Sequence, residues 1–192
     1  MARLKIGLVL EFATEREWDE WLTGNHMSAT EAWLRFAKKG TGAVTISRAE
    51  ALRTALCHGW IDGQAASQDD VYWLQRFTPR RRRSKWSKIN CDTAEELIRS
   101  GKMKRAGLAE VEAAKADGRW DAAYAPPSAM EVPEDLLDRL SRNPAAKSFF
   151  DGLSASNRYA ILYRIHDAKR PETRVRRIDK FVSMLERGET IH

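Results

Sequence analysis

The chain has 192 residues, 43% hydrophobic and 31% charged, with a formal net charge of +6. Its length suits one sizeable core, or one domain with a small helical annex, and its balance is that of a soluble globular protein. Two cysteines exclude a disulfide-built scaffold, no stretch approaches the ~20 apolar residues of a spanning helix, and the basic excess points to an acidic partner.

The N-terminal run MARLKIGLVLEF holds a short apolar stretch, Ile6 to Leu10, that Glu11 interrupts. It lacks the length and cleavage site of a signal peptide, so a cytoplasmic location is expected. Thr14-Glu15-Arg16-Glu17 has the form of a capping box and predicts a helix carrying Trp18, Trp21 and Leu22, with Gly24 as its stop. Residues 32–38 alternate: Ala32, Leu34 and Phe36 on one side, Trp33, Arg35 and Ala37 on the other. That predicts a strand. Ser47-Arg48-Ala49-Glu50 is a second capping box, opening a helix that Gly59 ends.

Trp60 to Gly63 and Val71 to Phe77, separated by a polar turn at Ser67–Asp70, predict a small antiparallel hairpin to which the strand at 32–38 adds. Pro79 should stop the pairing, because proline has no amide to donate. A helix is predicted from Asp92 or Thr93 to Gly101, and a longer one over 103–117. Ala125-Pro126-Pro127-Ser128 reads as a linker. Beyond it come helices alone, starting at Pro133, Asn143-Pro144, Ser156 and Pro171. The expected fold class is α+β: mostly helical, with a small antiparallel sheet in the N-terminal half and a helical C-terminal region. The expected domains are 1–125 and 128–192, the second packed on the first.

Residues 57–90 carry the chemistry. Trp60, Trp73 and Trp86 lie there, and Arg76, Arg80, Arg81, Arg82, Arg83, Lys85 and Lys88 follow one another with no acid between them. Crowded like charges are best tolerated where an anion meets them. The predicted ligand site comprises Trp60, Asp62, Arg76, Arg80, Ser84, Trp86, Lys88 and Asn90. Arg80 and Lys88 would hold the anion, the Ser84 hydroxyl would meet phosphate oxygens, Trp86 would stack on a base, and Asp62 would hold Arg80. The plainer reading is a solvated basic loop that Trp86 anchors to the core. Arg174, Arg177 and Lys180 on the last helix form a secondary basic face, or only that helix's wet side. Cys57 and His58 are adjacent and point about 100° apart on a helix, which disfavours a catalytic dyad. Neither the cysteines nor the four histidines have zinc-ligand spacing, and no cofactor or catalytic residue is assigned. Two alternatives to a binding protein stay open: an enzyme using Asp62 as acid/base with Arg80 holding substrate, and a protective factor that binds another protein.

Several stretches resemble the YdeI/OmpD-associated (OmdA-like, bacteriocin-protection) family. They are Ala55-Leu56-Cys57 with Gly59-Trp60-Ile61-Asp62-Gly63, Arg76-Phe77-Thr78-Pro79-Arg80-Arg81, and Ser84 with Trp86-Ser87-Lys88-Ile89-Asn90. Downstream, Gly101-Lys102-Met103, Gly107-Leu108, Gly118-Arg119-Trp120-Asp121, Ala168-Lys169, Thr173-Arg174 and Arg177-Ile178 match as well. His58 and Arg82 depart from the pattern, which more often has an aromatic and a proline there. The resemblance implies an α+β fold and a protective or stress-related role. It supplies no reaction and no active site.

Overall fold

The computed structural model describes residues 6–192, and the chain divides into two compact units, the first ending at Ala123 and the second beginning at Tyr124. The first holds a four-stranded sheet and four α-helices among its described residues. The strands are β1 (Val9–Leu10), β2 (Ala32–Ala37), β3 (Trp60–Ser67) and β4 (Tyr72–Pro79). The helices are α1 (Glu15–Asn25), α2 (Arg48–Cys57), α3 (Lys88–Arg99) and α4 (Arg105–Ala116).

The sheet order is β1-β2-β4-β3. β2–β4 and β4–β3 pair antiparallel as expected, but β1 pairs parallel with β2, so the sheet is mixed rather than wholly antiparallel. The apolar run at the N-terminus is what supplies this extra strand. β3 runs four residues beyond Gly63 and carries a bulge between Asp62 and Ala65. The Gln75 side-chain amide donates to the exposed carbonyls of Gly63 and Gln64, at 2.8 and 3.2 Å. β4 ends at Pro79, although one further backbone hydrogen bond, from Arg80 N to Gly59 O, follows it.

Both capping boxes form. Thr14 and Ser47 each accept the N3 amide, and Glu17 and Glu50 each reach back to the cap. Gly24 does not stop α1, which continues to Asn25. α3 starts earlier than expected, at Lys88, because the Ser87 hydroxyl accepts from Asn90 N at 3.1 Å. The alternation of β2 puts Ala32, Leu34 and Phe36 on the face that packs against Trp18 and Leu22 of α1 and Ala51 and Ala55 of α2, with Trp60 and Phe77 alongside. A second cluster joins Leu56, Trp86, Cys91, Leu97 and Val111 between α2, α3 and α4. α4 can approach α2 closely because Gly107 has no side chain: a Cβ there would lie 2.5 Å from both Cys57 O and Met103 Sδ.

The second unit is helical: α5 (Glu134–Ser141), α6 (Pro144–Asp151), α7 (Ala155–His166) and α8 (Pro171–Glu186), after a 3-10 turn at Pro127–Ala129. Pro144 and Pro171 open their helices, as their missing amides allow. Pro133 instead sits one position earlier, as the cap of α5. Leu136, Leu140, Phe150, Ile161, Ile178 and Phe181 meet in its core. Among the described residues no helix is long and apolar enough to cross a membrane.

Candidate functional site

The sheet separates the predicted site residues into three places. Trp60 is buried in the inner core, where its indole N–H donates to His26 O at 3.1 Å and its ring meets Trp18 and Trp21 edge-on. It offers no platform for a ligand. Asp62, two residues on, shares that face, because strand side chains alternate. Its carboxylate pairs with Arg48 of α2, not with Arg80. Asp62 is registered opposite Phe77, so Arg76 points to the other face of the sheet, where it pairs with Glu31 at 2.5 Å. Trp60, Asp62 and Arg76 therefore share no hollow with the residues that follow Pro79.

Those following residues do form one local construction. Arg80 extends the hairpin by donating its amide to Gly59 O at 2.9 Å. Its side chain is 6% exposed and lies over the Trp86 ring, 3.6 Å from the centroid, with Nη1 donating to Lys85 O. The turn between them is closed twice: Arg81 N donates to Ser84 Oγ at 2.9 Å, and Ser84 N to Arg81 O at 2.8 Å. The Ser84 hydroxyl thus has a turn-closing role where a phosphate contact was expected. Ser87 caps α3, and Asn90 supplies the amide that the cap accepts. Asn90 is half-buried in the first turn of that helix, beside exposed Lys88.

Trp86 is 2% exposed, and its indole N–H has no acceptor among the described residues. Burying such a group costs about 1–3 kcal/mol. Its ring contacts offset that cost. Arg80 gains a cation–π contact, worth ~2 kcal/mol when desolvated. Trp120 packs at 4.9 Å, tilted by 54°, and Lys115 lies over Trp120 in turn. Trp86 is an anchor rather than an open stacking surface.

What projects from this anchor is charge. Arg81, Arg82, Arg83 and Lys88 are exposed and make no ion pair among the described residues. The first turn of α3 contains no acid, so its positive dipole end adds to the same potential. Asp117, whose carboxylate feels the charge of Arg82, is engaged by Arg119 at 2.8 Å. The hydrogen bond from Arg119 holds the Asp117 carboxyl below its usual range, with Arg82 adding a small effect in the same direction. Arg119 also donates to Ser84 O at 3.0 Å. Arg119 belongs to the Gly118-Arg119-Trp120-Asp121 stretch that carries the family resemblance. The partner is Asp117, and the contact to the loop, 35 residues away, has no sequence signature.

The secondary basic face behaves differently. Arg174 makes a two-pronged pair with Asp135 and donates to Ile165 O, and Arg177 reaches Arg164 O and Asp167. Lys180 is exposed and outside these pairs.

Cys57 and His58 have separate structural roles. Cys57 is a core thiol that burial pushes up to about 11. His58 is 4% exposed, and its Nε2 lies 2.8 Å from Asp19 Oδ1. Sequence reasoning missed this pair, because Asp19 lies 39 residues earlier, on α1.

Two family comparisons cover most of the chain. Residues 10–110 match a domain of unknown function (DUF8412), and residues 129–188 match the family described as Bacteriocin-protection, YdeI or OmpD-Associated. No curated protein and no solved structure matches.

Proposed function

From a chain that belongs to the DUF8412 domain family over residues 10–110 and to the bacteriocin-protection, YdeI or OmpD-associated family over residues 129–188, we infer a non-enzymatic binding protein whose 81–88 loop receives a phosphate-bearing polymer. One observation carries the reading: Arg81, Arg82 and Arg83 stand exposed and without an ion pair among the described residues on a loop fixed at both ends, with exposed Lys88 at the start of α3 beside them. Their mutual repulsion is relieved when an anion docks. Spaced charges along a short turn suit a phosphodiester backbone better than a single small anion, and phosphate contacts of this kind position a strand without reading its sequence. Nucleic acid is the proposed ligand class. The proposed location is the cytoplasm, where the two buried free thiols would stay reduced. Asp62, held by Arg48, gives acid–base chemistry no support.

The test is binding of a single-stranded oligodeoxynucleotide across a salt series. Affinity should fall steeply with salt, by about 0.7 in log–log slope for each phosphate contact. Replacing Arg81, Arg82, Arg83 and Lys88 together by Gln should remove about 3 from that slope if all four touch phosphate. Binding that is absent, or that ignores salt, overturns the reading.

A further inference from the structure

We propose that Arg119 and Trp120 are positioning residues that hold the cationic loop in its ligand-ready shape; this rests on the loop being the anion site. Arg119 is the hub. It follows the end of α4, and its Nε is fixed by both oxygens of Asp117, each at 2.8 Å. Its Nη1 then ties down Ser84 O, the carbonyl at the far end of the Arg81–Ser84 turn. The guanidinium fork can serve both partners because its donors lie in one rigid plane. Its charge is already matched by Asp117, and its side chain is 15% exposed. It is placed to order the loop rather than to meet a ligand. Trp120 completes the clip from below. It packs on Trp86, whose ring carries Arg80, the residue from which the loop departs. Its own position is set by its amide, which donates to Ala114 O at 3.0 Å, and by Lys115 over its ring.

A loop already held in one shape loses less freedom on binding, so more of its electrostatic attraction appears as affinity. The clip therefore has a signature distinct from that of a phosphate contact. Removing a phosphate contact lowers both affinity and salt slope. Releasing the clip lowers affinity and leaves the slope alone, because the same cations still meet the same phosphates.

The experiment compares Arg119→Gln with the wild type, in the full chain, with a fluorescent oligodeoxythymidylate as probe. The expected result is about three- to tenfold weaker binding, an unchanged salt slope, and faster trypsin cleavage after Arg81–Arg83 in the absence of probe. Arg119→Lys keeps the charge without the planar fork and should resemble Arg119→Gln. Trp120→Leu, checked for folding by its thermal transition, should act in the same direction. Unchanged affinity in Arg119→Gln overturns the clip, and so does a slope reduced by about 0.7, which would make Arg119 a direct phosphate contact. Failure of the underlying reading looks different: replacing Arg81, Arg82 and Arg83 by Gln would leave oligonucleotide binding as it was.

Discussion

The 81–88 loop and helix α8 are both rich in arginine, yet Arg81, Arg82 and Arg83 make no ion pair among the described residues, while two of the four cations of α8, Arg174 and Arg177, are paired and Arg176 and Lys180 are left outside such pairs. On α8, Arg174 is answered by Asp135, Arg177 by Asp167, and Asp179 is taken by Arg139 of α5. Arg81, Arg82 and Arg83 on the loop and Lys88 at the start of α3 have no ion pair among the described residues, and Asp117, whose carboxylate feels the charge of Arg82, is committed to Arg119. Both segments therefore look alike in sequence and differ in what they can do. A cation held by a carboxylate is part of the fold. A cation without one contributes repulsion until something negative arrives. Density of positive charge does not mark a site; the local supply of acids does.

The comparison is tested most severely by removing the loop's anchor while leaving its charges. Trp86→Ala deletes a nearly fully buried ring together with its contacts to Arg80 and Trp120. It should cost about 3–5 kcal/mol in urea unfolding. A loss well below ~1 kcal/mol would mean that the loop is not seated on the core in the way described. Removing the charges and keeping the anchor is the complement. The Arg81, Arg82, Arg83 and Lys88 to Gln variant should weaken oligonucleotide binding by about a hundredfold at low salt. Its stability should stay within about 0.5 kcal/mol of the wild type, as for surface changes that break no partner.

These two variants also mark what the sequence could convey. Local signals were legible. Thr14 with Glu17 and Ser47 with Glu50 announce helix starts because cap and N3 residue act within four positions. The alternation from Ala32 to Ala37 gives the faces of β2, because the side-chain period of a strand is fixed. Partners were not legible. Asp62 lies near Arg80 in the hairpin's sequence, but pleating sends it toward Arg48 on α2. Trp60 was expected in the ligand site and Trp86 as its stacking surface, and the packing of α1 over one and of Trp120 against the other buries them. The Ser87 cap was not legible because N3 of its helix is Asn90, not an acid, so the capping-box pattern was missing.

On α8 the same logic predicts an effect on stability and none on binding. Arg174→Met removes a two-pronged pair with Asp135 and a donor to Ile165 O. The pair is partly open to water, so its loss should cost about 1 kcal/mol. Thermal unfolding would read this as a small downward shift in midpoint. Oligonucleotide affinity in the same variant should equal that of the wild type. A clear loss of affinity would bring α8 into the ligand site and erase the contrast.

His58 sharpens the comparison from a third direction, with the smallest effect of the four. It is neither paired within the fold as a charge nor displayed to solvent; it is buried and held neutral. Burial lowers its pKa, and the hydrogen bond to Asp19 opposes this only in part, while His26 and Lys104 push the same way as burial. The unfolded chain would titrate this imidazole near pH 6.5. As pH falls below that value, the unfolded state takes up a proton that the folded state refuses, so stability declines. At higher pH both states are neutral there and the contribution is constant. The carboxylates held low by their partners, Glu96 and Asp135 among them, withdraw their stabilisation only as pH falls below about 4.5, so the two windows are separate. Urea unfolding of the wild type between about pH 7 and pH 5 should show declining stability, and His58→Gln should flatten that decline while leaving the more acidic limb in place. A His58→Gln chain that keeps the full decline would overturn this assignment.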